Sequence, residues 1–455
     1  MKLFDDTIIG ISTALSKGAI SIIRLSGDDA IKIVNKVFKG IDLSKVEPNT
    51  INYGHIVDFD SCQIIDEVLV SIFKAPKSYT KEDVVEINCH GGLFVTNKIY
   101  EQLVLLGARP SEPGEFTKRA FLSGRIDLTK AEAVMDVINA ENNAALKIAN
   151  SALNGKISTF VDQKRQELLD IIATISVNID YPEYDDVEQL TNEDILPKLK
   201  TIKLELEDVL NNAKSAKLLK NGINTVIVGK PNVGKSSLLN TLIGENKAIV
   251  TNIPGTTRDI VEASINLGQV TLNLIDTAGI RITEDVVEKI GVEKSKEQIN
   301  KADIILCVLD GSEPINEQDK EILNEIKNKC HLTIINKIDL EQKINLGEVD
   351  DNVLFISTKN NNTIKELENK ILETLNLNNL FNKDITYISN ARQLEKINFA
   401  IKALDEALTT IENEATIDFV DIDIRKAWLY LGEIVGQTST DNLLDELFSK
   451  FCLGK

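Results

Sequence analysis

Residues 229–236 read Gly-Lys-Pro-Asn-Val-Gly-Lys-Ser, directly after the apolar run Thr225-Val226-Ile227-Val228. The glycines let the backbone bend so that successive N–H groups point inward, where they hold the β-phosphate of a nucleotide. Lys235 brings a positive charge to the β and γ oxygens, and the Ser236 hydroxyl is a ligand for Mg²⁺. Ser237-Leu238-Leu239-Asn240 continues as a helix, so the loop lies between a buried strand and a helix N-terminus. Such a loop serves ATP hydrolysis, GTP hydrolysis or nucleotide binding alone, and by itself does not decide among them.

Four further elements follow in fixed order. Gly255-Thr256-Thr257-Arg258-Asp259 offers a hydroxyl for Mg²⁺ and the γ-phosphate. Asp276-Thr277-Ala278-Gly279 ends a predicted strand, which suits Asp276 to a magnesium-bound water and the Gly279 N–H to the γ-phosphate. Asn336-Lys337-Ile338-Asp339 ends another, and a carboxylate at Asp339 accepts from both N1–H and the 2-amino group of guanine, which adenine lacks. Ser357-Thr358-Lys359 ends the last strand, where its backbone meets guanine O6. Together the set specifies GTP. The residue after Gly279 is Ile280, which hydrogen-bonds nothing, so the attacking water needs another partner. Glu284, Asp285 and Glu288 stand just downstream, and locally each reads as a solvated loop residue.

These loops require a scaffold of strands alternating with helices. Apolar runs at 225–228, 270–275, 304–309, 332–335 and 353–356 predict a doubly wound parallel sheet. Before it, β-rich runs at 7–12, 19–25, 51–59, 67–73 and 84–88, with helices near 28–38 and 92–106, predict an α+β domain. Helical spacing holds over 131–149, 160–179 and 193–219 and resumes after Asn390, with Leu443, Leu444, Leu447, Phe448 and Phe451 on one face. The expected fold is multidomain α/β and α: an N-terminal α+β domain over 1–118, a helical domain over 119–219, an inserted Ras-like G domain over 220–376 and the second helical half over 377–455.

The chain has 455 residues, 43% hydrophobic and 27% charged, as in soluble globular proteins. No run approaches the ~20 apolar residues of a membrane span, and the start, Met1-Lys2-Leu3-Phe4, has no signal-peptide core, so a cytoplasmic protein is expected. Five scattered cysteines without CxxC spacing argue against a zinc site or a disulfide framework. The net charge of −19 disfavours RNA binding by this chain alone, unless basic residues cluster or a partner supplies charge. Cys89 and His90 are adjacent, and neighbours on a strand face opposite ways, so structural roles are expected for both.

Ser78-Tyr79-Thr80-Lys81-Glu82-Asp83-Val84-Val85-Glu86 with Cys89-His90-Gly91-Gly92, Pro113-Gly114-Glu115-Phe116-Thr117-Lys118-Arg119-Ala120-Phe121-Leu122, and the terminal Phe451-Cys452-Leu453-Gly454-Lys455 lie outside the GTPase motifs. With them the sequence resembles, over essentially its full length, the MnmE (TrmE) family of tRNA-modification GTPases. The resemblance implies a bound K⁺ in place of an arginine finger, with Asn232, Thr251, Ile253 and Thr256 as its ligands and G domains that pair face to face in a homodimer. It places Ser236 and Thr257 on Mg²⁺, Val233, Ser237 and Pro254 around the nucleotide, and Glu288 on the attacking water.

The resemblance further implies a tetrahydrofolate-binding N-terminal domain, with Arg24, Glu86, Arg125 and Lys455 on a 5-formyl- or 5,10-methylene-tetrahydrofolate. Arg125 stands where the family carries lysine, which keeps the charge and changes its geometry. Cys452 is either a reactive thiol near the terminus or an apolar contact of the last helix. The implied partner is an FAD- and NADH-dependent MnmG (GidA)-like flavoprotein, in a heterotetrameric or larger complex that adds an aminomethyl or carboxymethylaminomethyl group to C5 of the wobble uridine of certain tRNAs. Two other readings stand beside it. One is a ribosome-assembly GTPase of the Era or EngA type, whose basic RNA module has no counterpart after residue 375. The other is a stand-alone folate-dependent one-carbon transferase.

Overall fold

Alternation of buried and exposed side chains marks the long strands of the first sheet, and near-continuous burial the central strands of the second, in this computed structural model, which describes residues 5–180, 192–245, 261–275, 299–349, 351–357, 363–377, 388, 390–413, 416–437, 441–451 and 454. The strands are β1 (Ile8–Ile11), β2 (Ile20–Ser26), β3 (Phe38–Lys39), β4 (Thr50–Val57), β5 (Ile64–Phe73), β6 (Val84–His90), β7 (Arg109–Pro110), β8 (Ile223–Val228), β9 (Val261–Leu267), β10 (Val270–Ile275), β11 (Ile304–Asp310), β12 (His331–Asn336) and β13 (Val353–Phe355). The described helices are α1 (Ala30–Asn35), α2 (Leu93–Leu105), α3 (Glu115–Leu122), α4 (Leu128–Ile138), α5 (Asn143–Leu153), α6 (Lys156–Asp180), α7 (Asn192–Asn221), α8 (Lys235–Glu245), α9 (Glu317–Ile326), α10 (Thr363–Thr374), α11 (Ala391–Glu412), α12 (Ile417–Val435) and α13 (Asp441–Ser449). They group into two compact units, Met1–Met135 with Leu431–Lys455, and Asp136–Tyr430. Among the described residues no helix is long and apolar enough to cross a membrane.

In the first unit seven strands form one sheet in the order β3-β4-β5-β6-β2-β1-β7. Ile23, Leu25, Val70, Ile72, Val85 and Ile87 point to one face and pack with Ile99 and Leu103 of α2. The five predicted strand runs appear as β1, β2, β4, β5 and β6, whereas β3 and β7 span two residues each, too few to show a period. Cys89 is buried and the exposed His90 faces away, its Nδ1 2.7 Å from Asp66 Oδ1, as strand alternation requires.

Arg119 on α3 is the largest fully buried side chain of the chain's described residues. Its Nη2 meets Asp6 Oδ1 at 2.7 Å and Glu115 Oε1 at 3.2 Å, and its Nη1 meets Glu82 Oε1 at 3.0 Å. Burial alone would raise the Asp6 and Glu115 carboxyls, but hydrogen bonds from Arg109 and, for Asp6, Arg119 hold both below the usual carboxylate range. Their stabilising contribution is therefore present at neutral pH and fades as pH falls through those lowered values.

In the second unit the sheet runs β13-β12-β11-β8-β10-β9, parallel throughout except for β9, which pairs antiparallel with β10. All five predicted strands are present, and β9 is an additional one. Ala144, Ile148, Ala216 and Leu219 of α5 and α7 join the core of this sheet alongside Leu272, Leu306 and Ile334. The helical run expected over 131–149 is broken between α4 and α5. Asn142 Oδ1 accepts from the Ala145 N–H at 2.7 Å, and its Nδ2 donates to the Leu219 carbonyl at 3.2 Å and to Thr271 Oγ1 at 3.0 Å. A cap that also ties α5 to α7 and β10 overrides the apolar period.

Arg119→Met is expected to destabilise the first unit by about 3–5 kcal/mol, because three carboxylates lose their buried counter-charge. Denaturant unfolding at neutral pH checks it, and the difference from the parent should shrink in acid.

Candidate functional site

β8 ends at Val228, and the chain enters the phosphate loop through Gly229 at φ +149°, where a Cβ would run into the Val308 carbonyl of β11. Asn232 (φ +65°) and Gly234 (φ +104°) are also left-handed, and asparagine is among the few side chains that tolerate this region. Leu238 N–H bonds the Gly234 carbonyl at 2.9 Å and closes the first turn of α8, leaving Ser236 and Ser237 exposed at its end. The N–H groups ahead of that turn have no intrahelical acceptor, which suits them to phosphate oxygens.

Lys235 lies across the loop, its Nζ donating to the carbonyls of Gly229 at 2.6 Å and Lys230 at 2.7 Å. Burial pulls its ammonium below the usual lysine range. Neighbouring Cys307 on β11 is fully buried, its thiol pushed up to about 12 by burial, and is inert as a nucleophile. Lys230 holds the loop from outside, reaching Glu313 Oε2 at 3.1 Å and Asp319 Oδ2 at 3.2 Å.

The base-side residues come from the ends of β12 and β13. Asn336 Nδ2 donates to the Val233 carbonyl at 2.9 Å, and a Cβ on Gly234 would fall inside that same amide. Asn336 is thus turned inward onto the phosphate loop. Lys337, left-handed at φ +65°, extends its Nζ to within 2.5 Å of Asp310 Oδ2. Against the upward push of burial, this bond and those from Ser312 hold the Asp310 carboxyl below its ordinary range. Asp339 Oδ1 accepts from the Ser357 hydroxyl at 2.9 Å, so the carboxylate expected to meet guanine is aimed by a buried serine just past the next strand. Lys230, Asp310 and Asp319 were not singled out from the sequence; only the acidic end of β11, Asp310-Gly311-Ser312, carries a local signal.

The first unit brings Arg24 and Glu86 face to face, as the β2/β6 register dictates. Arg24 Nε and Nη2 both reach Glu86 Oε1 at 2.8 Å. Arg24 Nη1 also donates to the Gly454 carbonyl at 3.3 Å, and Ser12 Oγ donates to it at 2.9 Å. Gly454 sits at φ +80°, where a Cβ would strike the Ile11 carbonyl. The residue before Lys455 is thereby fixed beside Arg24. Arg125 stacks over the Tyr79 ring at 4.8 Å, and Tyr79 Oη lies 3.0 Å from Thr117 Oγ1. Thr251, Ile253, Pro254, Gly255, Thr256, Thr257, Asp276, Thr277, Ala278, Gly279, Ile280, Glu284, Asp285, Glu288, Thr358, Lys359, Cys452 and Lys455 lie outside the described residues.

A parallel sheet with a phosphate loop after its first strand and an Asn-Lys-x-Asp loop locked to it defines the class: a P-loop GTPase. The flanking regions narrow it. A family model described as GTP-binding protein TrmE N-terminus matches residues 7–125, and one described as MnmE helical domain matches 128–452. The tRNA modification GTPase MnmE of Bacillus cytotoxicus is 50% identical over 455 residues, 99% of each chain, and that of Bacillus mycoides is 49% identical over the same span. The chain belongs to the MnmE (TrmE) family. A solved Era structure, in complex with MgGDPNP and a segment of 16S ribosomal RNA, is 32% identical over 40% of this chain and 66% of that one, at a TM-score of 0.27, too low to bear on the fold.

Asn336→Ala is expected to weaken guanine-nucleotide binding about tenfold, the cost of one buried hydrogen bond and a loosened loop, with Asp339 untouched. Titration with a fluorescent GDP analogue measures it; unchanged affinity would separate the two loops energetically.

Proposed function

We propose that this chain is a K⁺-activated GTPase that acts with an FAD- and NADH-dependent MnmG (GidA)-like flavoprotein to install an aminomethyl or carboxymethylaminomethyl group at C5 of the wobble uridine of certain tRNAs, drawing a one-carbon unit from a bound tetrahydrofolate. The observation that carries the reading is the bond between Asn336 and the Val233 carbonyl, which makes the phosphate and base loops one nucleotide site. That site sits in a chain whose other domains match the same family. In this reading the functional regions are the folate domain over 1–118, the helical halves over 119–219 and 377–455, and the G domain over 220–376.

Ser236 at the exposed end of α8 would hold Mg²⁺ together with Thr257. Asn232, exposed and left-handed within the loop, suits a cation beside the phosphates, with Thr251, Ile253 and Thr256 completing the shell. A cation there supplies positive charge where the leaving group gains negative charge. Lys235 supplies the charge from the other side, and Glu288 positions the water that Ile280 leaves unheld. GTP turnover then drives opening and closing of paired G domains, not bond formation on the base.

The folate reading is supported by the Arg24–Glu86 pair and the Gly454 anchor. Arg24 engages Oε1 of Glu86, which orients the carboxylate and would leave its second oxygen for a pterin N–H edge. The homodimer is supported by the same sheet face. Tyr53 pairs with Leu69 across β4 and β5, Ile51 lies one row along, and the three are 61%, 46% and 68% exposed on the face that carries Arg24 and Glu86. Such a patch fits a second copy of the chain. With a net charge of −19, most of the tRNA-binding surface is assigned to the flavoprotein, in the cytoplasm.

GTP turnover should be several-fold or more faster in K⁺ than in Na⁺ at equal ionic strength, and Asn232→Ala should lose that stimulation while still binding GDP; equal rates in both salts would remove the cation. Asp339→Asn should shift preference from GTP toward xanthosine nucleotides by at least about a hundredfold, since the new amide matches the xanthine edge. Nucleoside analysis of tRNA from cells lacking this protein tests the whole reading, which requires loss of the C5 modification at the wobble uridine.

A further inference from the structure

One group of cations in the first unit has no part in the nucleotide site. Between the end of β5 and Arg125 lies a cavity of about 420 Å³, lined among others by Lys77, Ser78, Tyr79, Lys81 and Arg125. Among the described residues three of its lining side chains are cationic and none is acidic, in a chain whose net charge is −19. Among the described residues no carboxylate pairs with any of the three. Arg125 rests on the Tyr79 ring, and Lys81, left-handed at φ +63°, donates from Nζ to the Ser123 carbonyl at 3.0 Å. Lys77 is exposed at the rim. A ring and a neutral carbonyl orient these groups without neutralising them.

Two consecutive buried residues of α3, Phe116 and Thr117, stand between the Arg24–Glu86 pair and this cavity. Phe116 has its ring 5.7 Å from the Arg24 guanidinium, and Thr117 holds Tyr79, on which Arg125 lies. A ligand whose ring system sits at Glu86 and whose chain passes over this turn of α3 would end among the cations. A folate has that shape: a pterin at one end, a glutamate at the other, and one further net negative charge for each γ-linked glutamate added.

We propose that Lys77, Lys81 and Arg125 form a subsite for the carboxylates of a poly-γ-glutamyl tail, so that the protein prefers polyglutamylated over monoglutamylated tetrahydrofolate. The proposal rests on the reading of Arg24, Glu86, Arg125 and Lys455 as a folate site. Arg125, planar and stacked, fixes the first glutamate, while the lysines, point charges on flexible stems, follow a chain of variable length.

Calorimetric titration of the full-length protein with 5-formyl-tetrahydrofolate as its mono- and triglutamate tests this. The triglutamate is expected to bind about tenfold tighter at low salt, with the gain shrinking as ionic strength rises. The double variant Lys77→Ala/Lys81→Ala should keep the monoglutamate affinity and lose the gain, and Lys77→Arg/Lys81→Arg should retain it. Equal affinities in the parent, with monoglutamate binding intact, would overturn the tail subsite and leave the folate reading standing. No binding of either form would overturn both. A double variant that loses tRNA affinity while its tri-to-mono ratio stays at the parent value would reassign the cavity to nucleic-acid phosphate and overturn the proposal.

Discussion

The hydrogen bond from the Asn336 side chain to the Val233 carbonyl is the constraint on which the nucleotide site depends. It runs beneath Gly234, and the space it fills is the space a side chain at that position would need. The phosphate loop therefore cannot relax around a larger residue, and the base loop cannot move without it. Both loops leave strands that flank β11, so the bond closes a short circuit across the edge of three adjacent strands. As one neutral bond it contributes only about 1 kcal/mol. Its weight is geometric, because phosphate and base are read at a fixed separation only if their two loops are one body.

Much of this was legible in the sequence because it is local. Val226 to Ser236 spell a strand, a turn and a helix start, and the strand ends at Asp310, Asn336 and Phe355 follow from apolar runs of the expected length. What stayed hidden depends on partners distant in the chain. Lys230 binds Asp319 across 89 positions, Arg24 meets Gly454 across 430, and no window on the sequence contains either pair. The split of the 131–149 run is an intermediate case. Asn142 is a good capping residue in plain view, but its preference over the continuing apolar period is decided by Leu219 and Thr271, which lie far downstream. β9 carries a readable alternation through Ala263, Ile265 and Leu267 into Gly268-Gln269, and as an antiparallel edge strand it departs from the parallel repeat around it.

The kind of partner, anionic or neutral, sorts the cations of the chain into two groups. Arg119 is surrounded by Asp6, Glu82 and Glu115; Lys164 in the helical region lies between Glu167 and Glu205; Lys230 reaches Glu313 and Asp319; Lys337 is held by Asp310. Each of these pairs would have to be broken before the cation met another anion, at a cost that burial makes large. They fasten the fold.

Lys235 and Lys81 are arranged otherwise, resting on backbone carbonyls, and Arg125 rests on an aromatic ring. A neutral partner orients a cation and satisfies its donors without neutralising it, so an arriving phosphate or carboxylate has no ion pair to displace. For Lys235 the effect is strengthened by burial, which already disfavours its charged form and makes an incoming anion the more stabilising. Arg24 shows the opposite arrangement. Its charge is already met by Glu86, and its guanidinium holds that carboxylate and the Gly454 carbonyl in place.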